Sequence, residues 1–141
     1  MDAMIRSMTM DDYDQVIALW QASEGVGLDD VDGRPAIEGY LRRNDGMSFV
    51  AVEGGRVVGA VLCGTDGRRG YMHHLAVAGE CKGRGFGGAL AERCLAALAE
   101  RGIVKCHIFV FAANVLARNF WTKRGWKLRE DLVVMSKDTR G

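Results

Sequence analysis

His73-His-Leu-Ala-Val-Ala-Gly-Glu-Cys-Lys-Gly-Arg-Gly-Phe-Gly-Gly-Ala-Leu90 joins an apolar, strand-like run to a basic, glycine-dense turn and then to a helix-forming segment. Glycine is required where φ must be positive or where a ligand comes close to the main chain, and Gly83, Gly85, Gly87 and Gly88 supply four such positions within six residues. A helix starting near Phe86 turns its first unsatisfied amides and the positive end of its dipole to the same place, so turn and helix together suit a diphosphate. Lys82 and Arg84 add positive charge. Any strand-to-helix turn can use a glycine or two without binding anything, so spacing has to discriminate. A Walker loop needs Gly-Lys-Ser/Thr at the helix start, where this chain has Gly87-Gly88-Ala89, and is excluded. The dinucleotide fingerprint fits only loosely through Gly83, Gly85 and Gly88, and the acidic residue it needs about twenty positions later is missing, because Glu100 comes too early and falls in the helix.

Leu75-Ala-Val77 followed by Lys82-Gly-Arg-Gly-Phe-Gly87 resembles motif A of the GNAT superfamily of acetyl-CoA-dependent N-acetyltransferases, usually Arg/Gln-x-x-Gly-x-Gly/Ala. Lys82 stands at its first position, and Gly79 replaces a frequent proline. Further on, Asn114-x-x-Ala117-x-x-Phe120-Trp121-x-Lys123-x-Gly125-Trp126 resembles motif B of the same family, in the expected order. The likeness runs from Ile5 to about Met135. It implies an α/β fold: a mixed, mostly antiparallel sheet of about six to seven strands flanked by about four helices, with residues 1–141 forming a single N-acetyltransferase domain. It also implies acetyl-CoA as acyl donor, held by Leu75, Ala76, Val77, Lys82, Gly83, Arg84, Gly85, Phe86, Gly87, Gly88, Asn114, Phe120 and Lys123. In the family the pantetheine arm lies between two splayed parallel strands, and acetyl passes to a primary amine by direct attack in a ternary complex. The amine can be a small molecule, a protein N-terminus or a lysine, and homodimers are common. Many members place a tyrosine proton donor four residues after the motif-B alanine, where this chain has Trp121. That substitution keeps open a rival reading, a non-catalytic acetyl-CoA-binding sensor or interaction module.

A chain of 141 residues fits one domain and can bury a core without metal or disulfide staples. With 48% hydrophobic and 26% charged residues the composition is that of an ordinary folded protein. The formal net charge of +1 offers no general field for nucleic acid or a membrane surface, so the local charge at Lys82 and Arg84 reads as a ligand site. Cys63, Cys81, Cys94 and Cys106 show no CxxC spacing, and Met-Asp-Ala-Met-Ile-Arg at the start lacks a signal-peptide core, so reduced thiols in the cytoplasm are expected. No metal site is expected, and Cys94 and Cys106 read as core packing.

Met4 to Met8 reads as a first strand, after which Thr9 or Asp11 caps a helix with Val16, Ile17, Leu19 and Trp20 on one side. Glu24 to Arg34 is a Gly- and Asp-rich loop, and Pro35 opens a second helix with Ile37, Tyr40 and Leu41 inward. Ser48–Glu53 and Arg56–Cys63 form a hairpin around Gly54-Gly55, and Tyr71–Val77 is a central strand. Phe86–Arg101 is a helix closed by Gly102, Val104–Phe111 a strand parallel to Tyr71–Val77, and Trp126–Arg129 with Leu132–Ser136 a terminal hairpin.

Amide formation needs an unprotonated amine, and an amine of pKa about 8 to 10 must first lose its proton. Tyr71 and His73 lie two apart on their strand and share a face, while His74 is expected on the opposite one. In the arylalkylamine branch of the family, two histidines occupy the positions of Tyr71 and His73, which makes these the catalytic candidates and His73 the candidate base. A core histidine satisfied by a hydrogen bond is the competing reading. Indole is no practical acid, so Tyr40, Tyr71 or solvent must protonate the leaving thiolate. Glu24, Asp29, Asp30 and Asp32 form either a solvated acidic loop or an attractor for a cationic amine.

Overall fold

Gly54 and Gly55, at φ 60° and 77°, make the two-residue turn that suits the right-handed twist of paired strands. They join β2 (Phe49–Glu53) to β3 (Arg56–Thr65) in the middle of an antiparallel array completed by β1 (Ala3–Ser7) and β4 (Gly70–Val77). A short fifth strand, β5 (Cys106–Ile108), adds parallel to β4, so the sheet runs in the order β1-β2-β3-β4-β5 among the described residues. The computed structural model describes residues 3–141. The chain divides after Phe109 into two compact units, the second running from Val110 to Gly141.

In the first unit both faces of the sheet are covered, which is why β3 is buried from Val57 to Gly64. Val50, Ala60 and Leu62 share a core with Val16 and Trp20 of α1 (Tyr13–Gln21) and Ile37 of α2 (Arg34–Arg43). The alternating residues Ala51, Val61 and Cys63 face the other way, towards α3 (Phe86–Glu100), whose Leu90, Cys94 and Leu98 are buried. Gly70 is a packing requirement: a Cβ there would stand 2.5 Å from Leu98 Cδ1. Thr9 caps a 3₁₀ turn (Met10–Asp12) leading into α1, and Asp12 returns the bond by accepting Thr9 N–H at 2.9 Å. Pro35 lies in the first turn of α2, and Gly102, at φ 77°, closes α3 with Ile103 N–H on the Leu98 carbonyl at 3.0 Å.

The second unit holds α4 (Val115–Lys123), capped by Asn114 Oδ1, which accepts Ala117 N–H at 3.0 Å. Trp121 is buried there, edge-on to Phe120 (centroids 5.0 Å apart) and to Trp126 (4.9 Å). Two expectations fail. No strand forms over 126–129 or 132–136, and the parallel strand spans 106–108 rather than 104–111. A strand needs a partner as well as a β-rich composition, and an isolated hairpin is marginal in water. Val133 and Met135 are 86% and 89% exposed, and Phe109 and Phe111 are exposed beyond the end of β5. Among the described residues five strands are therefore present where about six to seven were expected, within an α/β sheet-and-helix architecture.

Candidate active site

β4 reaches α3 through a 3₁₀ turn (Gly79–Cys81) and the loop Lys82–Gly85. Gly83 and Gly85 take φ of 82° and 90°, and a Cβ on either would meet nothing within 4 Å. Among the described residues, the amides of Gly83, Arg84, Gly85, Phe86, Gly87 and Gly88 have no acceptor within the chain, and Gly85 caps α3 without a side-chain bond. A run of six free N–H groups at the start of a 15-residue helix has the donor set of an anion site, with open space in front of Gly83 and Gly85. Lys82 is exposed beside it. Arg84 is less available than its sequence position implied: its Nη1 donates to Glu53 Oε1 at 2.9 Å, Nη2 pairs with the other carboxylate oxygen, and the guanidinium lies 5.1 Å from the Phe86 ring centroid. This pairing holds the Glu53 carboxyl below the ordinary value.

β4 and β5 pair only at Gly70↔Cys106, Tyr71↔His107 and Met72↔Ile108. Beyond that the strands part, leaving His73 to Val77 without a partner on this edge among the described residues. Leu75, Ala76 and Val77 occupy the parted section, with Ala76 buried and the other two half-buried. This is the opening that the resemblance requires for a pantetheine arm.

The two histidines depart from simple alternation. Ala60 pairs with Ala76 and Leu62 with His73, so Val61 alone faces both His74 and Leu75, a bulge. His74 takes φ 58°, a left-handed conformation that costs a non-glycine residue about 1–3 kcal/mol and persists only when its surroundings enforce it. His73 and His74 consequently do not point to opposite faces. His73 stands edge-on to Tyr40 of α2 (6.5 Å) and His74 edge-on to Trp20 of α1 (5.0 Å), so both rings lie on the α1/α2 side.

His73 is stacked on Phe109 with centroids 5.9 Å apart and an interplanar angle of 12°. Tyr71 also stacks on Phe109, at 6.4 Å, and lies 5.7 Å from His107. No hydrogen bond fixes either ring nitrogen of His73 among the described residues, and neither nitrogen is sealed from solvent. The reading of a core histidine satisfied by a hydrogen bond therefore loses its support. Burial pushes the His73 pKa below 6.5, and the neighbouring His74 adds to this, so the ring is neutral and able to take a proton at pH 7. Burial pushes the Tyr40 hydroxyl well above 10, which makes it a poorer acid than an ordinary tyrosine. Its oxygen sits where a side chain on Gly64 would be, 2.6 Å from a Cβ built there.

Two neighbours of this cluster carry no sequence signal, Phe109 beneath both rings and His107 beside Tyr71, while Asp32 of the acidic loop places its Oδ1 2.9 Å from His74 Nε2. Asn114, Phe120 and Lys123 belong to the second unit. There the Asn114 oxygen is used as a cap, Phe120 carries the Arg124 guanidinium 3.8 Å above its ring, and Lys123 is exposed. Cys81, beside the loop, is buried; burial pushes the Cys106 thiol up to about 12, and a bond with Cys63, together with burial, raises Cys94. Among the described residues no cluster of His, Cys, Asp and Glu could hold a metal, and no helix is long and apolar enough to cross a membrane.

The sequence model of the acetyltransferase (GNAT) family matches residues 13–126. An acetyltransferase of Sodalis glossinidius is 29% identical over 133 residues, covering 94% of this chain and 93% of its own. One from Pectobacterium atrosepticum is 35% identical over 110 residues, covering 78% and 77%. Among solved structures, the PaiA N-acetyltransferase of Thermoplasma acidophilum, in complex with coenzyme A, superimposes with a TM-score of 0.82 at 16% identity, over 92% of each chain. At that identity the likeness establishes the fold.

Proposed function

Because the chain belongs to the acetyltransferase (GNAT) family, and is an N-acetyltransferase by that membership, we propose that it transfers acetyl from acetyl-CoA to a primary amine by direct attack. The observation that carries this reading is the run of six unaccepted amides from Gly83 to Gly88. They would hold the diphosphate, with Lys82 adding charge and the parted edge of β4 at Leu75–Val77 receiving the pantetheine arm. Asn114, Phe120 and Lys123 are proposed to complete the cofactor site, with residues 1–141 acting as one transferase domain; the family match spans both units. Bound acetyl-CoA supplies an activated thioester.

His73 is the proposed base. Its ring is held between Phe109 and Tyr40, is neutral at pH 7, and keeps both nitrogens free of intramolecular bonds. It would take the proton that an acceptor ammonium must shed before attack. Tyr71, stacked on the same Phe109, lines the site and is the remaining tyrosine donor for the thiolate, since Tyr40 holds its proton more tightly. Trp121 serves in packing and supplies no proton. The test is release of CoA thiol from acetyl-CoA with a panel of amino acids, diamines and lysine peptides, alongside calorimetric titration with CoA. Binding without release from any amine would favour the sensor reading; no binding would remove both.

A further inference from the structure

His74 and Asp32, 42 residues apart, meet outside the loop that would hold the cofactor. The Asp32 carboxylate is 5% exposed and the His74 side chain 18%. Both carboxylate oxygens are committed: Oδ1 lies 2.9 Å from His74 Nε2, and Oδ2 accepts Asp29 N–H at 3.1 Å. The Asp32 carbonyl accepts the Tyr13 hydroxyl at 2.8 Å, so the residue is fixed from α1 as well. An ionised carboxylate only accepts, so Nε2 is the donor and the neutral ring carries its lone pair on Nδ1. Among the described residues that nitrogen has no partner and is not sealed from solvent, whereas the adjoining Trp20 Nε1 is buried without a bond.

We propose that Asp32 is a positioning residue that makes His74 a second proton acceptor for the incoming amine, beside His73. The inference rests on the acyl-transfer reading above. His73 takes the proton that the acceptor ammonium sheds before attack, the bonding pair staying on nitrogen as the lone pair that attacks, and Nδ1 of His74 takes the second proton once nitrogen is bonded to the acyl carbon. The N–C bond forms, the C–S bond breaks with its pair on sulfur, and the second proton lost from nitrogen ends on that sulfur. The imidazolium formed at His74 faces the Asp32 carboxylate. The groups around His74 are Asp32 from the turn at Asp30–Asp32, Trp20 from α1 and His73 from its own strand. His73 and His74 centroids are 6.4 Å apart, so charge on one opposes charge on the other.

Two substitutions separate positioning from proton transfer. In Asp32→Asn the Asp29 N–H still demands an oxygen, which turns the amide NH2 towards His74 and moves the ring proton to Nδ1. His74→Gln keeps a donor for Asp32 and removes the titrating nitrogen. Nitrogen-15 correlation spectra read the tautomer with no acceptor present: wild-type His74 should be the Nε2–H form, and Asp32→Asn should reverse it. A wild-type ring protonated on Nδ1 overturns the proposal. In turnover, each variant should lower kcat about ten- to a hundredfold, leave the KM for acetyl-CoA unchanged and recover at high pH. If only His73→Gln slows the reaction, the transfer reading stands and this proposal falls. If the wild type binds CoA but releases no thiol with any amine, the transfer reading falls and takes this one with it.

Discussion

Replacing Gly85 by valine tests the cradle with two readouts of different origin. Gly85 has φ 90°, and left-handed backbone costs an L-residue about 1–2 kcal/mol. A Cβ there meets nothing within 4 Å, so no clash adds to that cost. Unfolding entropy of about 2.1 cal/mol/K per residue, over this length, gives about 0.3 kcal/mol per degree, so the unliganded variant should melt about 3–7 °C below wild type. CoA at a hundredfold over its dissociation constant adds about 2.7 kcal/mol to the wild type, a rise of about 9 °C. The variant should lose that rise, because the valine side chain occupies the space in front of the free amides. Thermal melts of both proteins, with CoA and with unphosphorylated pantetheine, measure each term separately. A variant that melts a few degrees low yet keeps the full CoA shift would refute the cradle while leaving the backbone argument intact.

Lys82→Ala should weaken CoA binding by no more than about fivefold, the contribution of one hydrated surface charge, whereas Gly87→Asp should abolish it; calorimetry giving the opposite order would make the lysine the anchor. His73→Gln should lower kcat by about 10² to 10⁴ at neutral pH, with recovery at higher pH, and an unchanged pH-rate profile would exclude this residue as the base. Because burial lowers the folded pKa of His73 below 6.5, the unfolded chain takes the proton first, so stability falls as pH drops below 6.5, and pH-dependent melts of His73→Gln should show a shallower slope there. Asp12 is bound by both Arg6 nitrogens at 2.8 Å and its carboxyl is held below 3.8 chiefly by that bond, so its contribution is present above pH 3.8 and lost as pH falls through the lower folded value. Asp12→Ala should cost about 1–3 kcal/mol in denaturant melts at pH 7, and no loss would show the pair to be idle.

Local chemistry was legible from sequence, and long-range pairing much less so. Gly54-Gly55, Pro35, Gly102, Gly83 and Gly85 each state a backbone requirement within a few residues and sit where that requirement arises, whereas Gly87 and Gly88 lie inside α3 with no positive φ. Alternation along β4 failed at His74 because one inserted residue reverses the parity of every position after it, and nothing in His-His-Leu announces a bulge. Arg84 seemed a free charge because its partner, Glu53, is 31 residues earlier. The terminal hairpin was inferred from composition alone, which cannot supply the neighbouring strand.

The sheet order has a bearing on how the molecule assembles. β2, β3 and β4 follow one another through short turns, whereas β1 reaches β2 only by way of α1 and α2. β5 is reached from β4 through α3, a helical crossover that for parallel strands is almost invariably right-handed. During synthesis β1 to β4 can pair before the glycine loop has left the ribosome. α3 packs Leu98 over Gly70 of β4, so the helix that follows the glycine loop is seated on the strand that precedes it. Pulse-labelled hydrogen exchange should accordingly show protection in β2 and β3 ahead of β5, and simultaneous protection of all three would count against such an order.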